Sequence, residues 1–105
     1  MRPIDPTVVI ERMAGRFRAG GTMNPVAAAV SVAARGHACL SLHDFAESIG
    51  LPVETVRSAE LGAVAFGELP PAIGGRAGAT GADLLALADL EATWRNDPPV
   101  RAAGR

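Results

Sequence analysis

The residues best suited to chemistry sit close together in the middle of this sequence: His37, Cys39 and His43, followed by Asp44 and Glu47. Imidazole, thiolate and carboxylate are the ligands of zinc, and a thiol between two histidines is also the raw material of a nucleophile. The spacing argues against both. A zinc site needs about four ligands converging tetrahedrally, whereas His37-Ala38-Cys39 leads into a helical pattern on which only His43 and Glu47 share a face. No second cysteine supplies the paired spacing of a metal motif. The sequence therefore predicts a loop histidine, a half-buried thiol and an exposed helical histidine, with no metal and no cofactor. No cleft signal accompanies Cys39, so an enzyme is not expected. Gly74-Gly75-Arg76-Ala77-Gly78 lacks the preceding strand and the lysine of a phosphate loop, and reads as a flexible linker.

A second kind of chemistry is the neutralisation of phosphate. All ten basic residues are arginine, and the net charge of −1 hides an asymmetry. Residues 1–35 hold Arg2, Arg12, Arg16, Arg18 and Arg35 against Asp5 and Glu11; residues 36–70 hold only Arg57 against Asp44, Glu47, Glu54, Glu60 and Glu68. The front is basic and the middle acidic.

The elements that must position these groups are helices. Asp5-Pro6 is a cap followed by proline at the first helical position, and Ile10, Met13, Ala14 and Phe17 recur at helical spacing until Gly20-Gly21. Asn24-Pro25 repeats the start signal, and Val26, Ala29, Val30 and Ala33 repeat the spacing until Gly36, the expected C-cap. Ser41-Leu42-His43-Asp44 opens a short third helix with Leu42, Phe45, Ala46 and Ile49 inward and Gly50 at its end. After Leu51-Pro52 a fourth runs from Val53 to Leu61 with Val56 and Ala59 inward. The stretch from Ala63 to Gly78 reads as loop with room for one helical turn after Leu69-Pro70-Pro71. Thr80-Gly81-Ala82-Asp83 is a capping box for a last helix, about residues 81–95.

The segment Leu40 to Gly62 resembles the helix-turn-helix of the phage Cro and repressor superfamily. Ala46 is small where the two helices cross, Gly50 suits the left-handed turn position, and Val56 plugs the joint; Glu60-Leu61-Gly62 is similar to the Glu-x-Gly that closes the second helix in that superfamily. The resemblance implies a small transcriptional regulator that binds DNA as a dimer, with the start of the second helix in the major groove. It places Pro52, Val53, Glu54, Thr55, Arg57 and Ser58 at reading positions, and Arg35 joins Arg57, Arg12, Arg16 and Arg18 as a candidate phosphate contact. The departure from the pattern is chemical: the helix offers one arginine, and Glu54 near phosphate opposes binding. The alternative is a protein-interaction module that keeps the fold without DNA binding. A basic rim around Val53–Ser58 favours DNA; an acidic, apolar rim favours a protein.

Length and composition agree with one all-α domain of five helices, residues 1–97, with the helix-turn-helix at about 41–62 and a disordered tail at 98–105. Hydrophobic residues make up 49% but aromatics only 4%, so the core is built from Ala, Val, Leu and Ile. No signal-peptide core and no membrane-spanning run stands out, and a lone cysteine suits a reducing compartment, so a cytoplasmic location is expected. Leu84, Leu87, Leu90 and Trp94 form a stripe on the last helix that reads as a homodimer seam, the alternative being that it folds back onto the helix beginning at Pro6.

Overall fold

The computed structural model describes residues 6–96, and all of the regular structure there is helical. The elements are α1 (Pro6–Ala19), α2 (Pro25–Ala38), α3 (Leu42–Ile49), α4 (Val53–Glu60), a 3-10 turn (Phe66–Glu68), α5 (Pro71–Gly75) and α6 (Gly81–Asn96). The segment 98–105, read from sequence as a disordered tail, lies outside the described residues, as does Asp5.

α2 is the central helix, and every other helix packs against it. Its sequence explains why. From Pro25 to Ser31 each residue is small or branched and none is charged, so no side of that half belongs in water, and all seven are buried. Ser31 is the one hydroxyl among them, and it donates to the Ala27 carbonyl at 2.9 Å, which removes the cost of an unpaired polar group. Ile10 and Ala14 of α1, Phe45 and Ala46 of α3, Val56 and Ala59 of α4, Ile73 of α5 and Leu87 of α6 complete the core around Val26, Ala29, Val30 and Ala34.

α1 to α4 end alike: in each a residue at positive φ lets its own N–H and the next one reach back to orphan carbonyls. Gly21, Gly50 and Gly62 take that position after α1, α3 and α4, and Cys39 takes it after α2 with φ 59. Here the sequence misleads. Gly36 was the expected cap, but α2 continues through it for two more residues, because the reach-back pair runs from Cys39 and Leu40 to Gly36 and Arg35. His37 accordingly sits on a helix rather than in a loop, and Cys39 is exposed rather than half-buried.

The count of helices also differs, six α-helices among the described residues instead of five. Pro71 at the first helical position starts α5, and the supposed linker behind it is anchored, since Ile73 and Ala77 lie four residues apart and both sink into the core. Gly74 and Gly75 are helical residues rather than a tether. The capping box of α6 forms reciprocally: Asp83 N–H donates to Thr80 Oγ1 at 3.1 Å and Thr80 N–H to Asp83 Oδ2 at 3.0 Å.

Candidate functional site

The pair α3 and α4 meets through the residues that its sequence pattern singled out. Ser41 caps α3, its Oγ accepting from Asp44 N–H at 3.1 Å. Phe45, Ala46, Val56 and Ala59 are buried, Ile49 packs against them, and the chain reverses over Gly50-Leu51-Pro52. What remains outward is the candidate site. Pro52 and Glu54 are exposed, and Val53, Thr55, Arg57 and Ser58 are half-buried along the first turns of α4. His43, Asp44 and Glu47 stand exposed on α3.

Electrostatics decides what this face can meet. Arg57 is held by Glu54, one turn back on the same helix. Arg35 is held by Glu60 in a two-pronged pair, its Nε donating to Oε2 at 2.7 Å and a terminal nitrogen to Oε1 at 3.0 Å. That hydrogen bonding to Glu60 raises the Arg35 pKa above the ordinary arginine value, Glu60's charge adding to it and partial burial opposing it. On the arginine's side, the contribution of the pair is therefore complete at neutral pH and is lost only as strongly alkaline pH is reached. Of the five arginines expected at phosphate, Arg35 and Arg57, the two nearest the reading positions in the resemblance, thus already carry a carboxylate partner from α4. Asp44 and Glu47 are further exposed acids on α3, so the charged residues of the α3–α4 pair sum to a net negative charge.

An apolar knob borders it. Gly62 packs so tightly on the α1–α2 connection that a Cβ there would lie 2.3 Å from Thr22 Cγ2, and its carbonyl accepts from Asn24 Nδ2 at 2.8 Å. The residues next to that junction, Met23 and Leu61, are 82% and 70% exposed. Large apolar side chains this open, each adjoining in sequence a junction that joins the α1–α2 connection to the end of α4, are the kind of surface that protein partners cover.

Sequence reasoning missed a buried polar constellation that joins α6 to the start of α2. Glu91 of α6 is 3% exposed, and its carboxylate accepts from the N–H groups of Val26 at 3.0 Å and Ala27 at 3.2 Å. Pro25 has no N–H and Ala28 donates to the Asn24 carbonyl, so the start of α2 is fully satisfied. Asn24 is freed from capping. It binds the Gly62 carbonyl with its nitrogen and receives Arg95 on its oxygen at 2.9 Å. The signal available was a glutamate amid the apolar positions of the last helix, but no local rule says which helix end it caps.

Of the four residues expected at a dimer seam, one is fully buried within the chain and three are partly so. Leu87 is completely buried, Leu84, Leu90 and Trp94 pack against the same core, and Arg18 of α1 stacks over the Trp94 ring at 4.6 Å. Leu87 is taken up by the core, while Leu84, Leu90 and Trp94 keep part of their surface outward. Among the described residues no three His, Cys, Asp or Glu side chains converge as metal ligands. The His37 ring lies instead over Gly78, and the Cys39 thiol donates to the Gly36 carbonyl. Among the described residues no single helix is long and apolar enough to cross a membrane. Compared with protein-family models, with curated proteins and with solved structures, the chain gives no match.

Proposed function

We propose that this chain is a protein-interaction module on a helix-turn-helix scaffold, engaging its partner through the outer face of α3 and α4 and the knob formed by Met23 and Leu61. The observation that carries the reading is the internal pairing of Arg57 with Glu54 and of Arg35 with Glu60. DNA affinity comes mainly from cations that release counterions from phosphate, and a face whose arginines are neutralised and flanked by Asp44 and Glu47 repels the backbone it would have to approach. A partner with an apolar socket and a basic surround fits the same face.

The test sets the two readings side by side. Fluorescence anisotropy with mixed-sequence duplex DNA at low salt should show no retention of the wild type. A photo-crosslinking residue at Leu61, introduced in the native cell, should yield protein adducts that are lost when Met23 is changed to Glu. Retention on duplex DNA that falls steeply with salt would restore the regulator reading, with Arg12 and Arg16 then as the phosphate contacts.

A further inference from the structure

On the side of the molecule formed by α1 and the second half of α2 lies an apolar groove of about 510 Å³. Val9 and Met13 form one wall, Val32, Ala33 and Gly36 the other, and His37 closes one end against Ala77 and Gly78. The volume falls within the range of small-molecule clefts, about 300–1,000 Å³. We infer that this groove binds a medium-chain amphiphilic carboxylate, its chain between α1 and α2 and its head at the arginine-bearing rim.

Gly36 is the first support. It sits inside a helix, where glycine is among the poorest formers, and nothing lies within 4 Å of the position its Cβ would occupy. Neither backbone conformation nor a close approach demands glycine there, in contrast to Gly62. Because Gly36 lines the groove, a larger residue there takes up space beside it, and glycine leaves that space free.

Charge is the second support, and it fixes the head group. His37 is the one polar side chain in the lining, and no acidic residue lines the groove. α2 contains no acid at all. Exposed arginines neighbour the lining residues along the chain: Arg12 precedes Met13, Arg16 follows it by one helical turn, and Arg76 precedes Ala77. Glu11, the acid of α1, falls on the opposite side of that helix from Val9 by the helical repeat. An apolar floor under a cationic rim complements an anion with a hydrocarbon tail, and selects against a neutral or cationic amphiphile of equal length.

The experiment is a titration of the full chain with decanoate, followed by ¹H–¹⁵N NMR below the concentration at which decanoate forms micelles. Saturable shifts should concentrate on Val9, Met13, Val32, Ala33, Gly36 and His37. Decanol should bind about tenfold more weakly or worse. Gly36→Leu, which fills the groove with a better helix former, should melt no lower than the wild type and lose about tenfold or more in affinity. The exposed-site variant Arg12→Gln/Arg16→Gln should weaken decanoate but leave decanol unchanged. Shifts that are absent or fall elsewhere overturn the site, as does a folded Gly36→Leu that binds as well as the wild type. Equal affinity for decanoate and decanol overturns the carboxylate.

Discussion

The two ends of α2 are built on opposite plans. At the start, Pro25 to Ser31 is buried on every side, its free N–H groups are taken by Glu91 from α6, and Asn24 ties the entry to Gly62 and Arg95. At the finish, Gly36, His37 and Cys39 are exposed, and the helix closes through its own backbone on a cysteine held at positive φ. The start is locked by buried contacts from distant parts of the chain, whereas past Arg35 and its pair with Glu60 the helix ends on exposed residues and its own backbone bonds. Tertiary constraint therefore grades along a single helix, and the looser half is the one that borders the open groove. Opening and exchange should start from that end.

The sharpest way to break this contrast is to remove the remote cap. Glu91→Ala leaves the Val26 and Ala27 N–H groups buried without acceptors and opens a void beneath α6. The loss is expected to be about 3–5 kcal/mol, seen as a fall in the urea midpoint. Glu91→Gln keeps one acceptor but removes the charge that suits a helix start, and should lose roughly half as much. If Glu91→Ala melts with the wild type, α2 does not depend on its remote cap and the contrast disappears.

Gly62→Ala attacks the same end from the α4 side. An alanine there must hold φ near 77 while its methyl displaces Thr22 and crowds the Asn24 carbonyl. The expected cost is about 2–4 kcal/mol, part conformational and part steric. Calorimetry of Gly62→Ala beside Gly15→Ala, where a Cβ meets nothing within 4 Å, separates that specific cost from a general intolerance of glycine replacement. Equal melting of the two variants would remove Gly62 as the clamp on Asn24.

How much of this was legible in the sequence follows the same division between local and remote. Caps and periodicities are local, so the starts at Pro25, Ser41 and Thr80 and the inward stripes of α3 and α4 could be read directly. Gly50 and Gly62 also announced their turns. Gly36 gave a false stop because glycine tolerates both helical and left-handed backbone, and the choice between them was made by the reach-back bonds at Cys39. α5 was undervalued because Gly74-Gly75 resembles a tether when the burial of Ile73 and Ala77 is invisible. The face of α4 was legible as weakly basic, but the capture of Arg35 by Glu60 links residues on two helices. Glu91 was the least legible, since its partners lie more than sixty positions away.

At the far end of α2 the contrast can be sharpened in the stabilising direction. Cys39→Gly replaces a side chain held at φ 59 with the residue used at the same point after α1, α3 and α4. Relief of left-handed strain, about 1–2 kcal/mol, exceeds the added flexibility of the unfolded chain, so a net gain of about 0.5–1 kcal/mol is expected in urea unfolding. The exposed thiol's weak bond to Gly36 changes this little. A loss of stability would mean that Cys39 makes a contact beyond its own helix end.

The smallest effect expected is at Gly36. Its backbone is helical and its missing Cβ faces open space, so alanine should fit without displacing any neighbour. Helix propensity then favours Gly36→Ala by about 0.5–1 kcal/mol, through both a better folded helix and a less flexible unfolded chain. The gain should be local as well as global: amide exchange at Ala38 and Cys39 should slow, while exchange at Ala28 and Ala29, in the half held by the core, follows global stability. A uniform slowing along the helix would mean that α2 opens as one unit, and the two ends would then differ in architecture but not in free energy. Unequal slowing establishes the gradient, and places the weakest turn of the central helix beside Val32 and Ala33, at the wall of the groove.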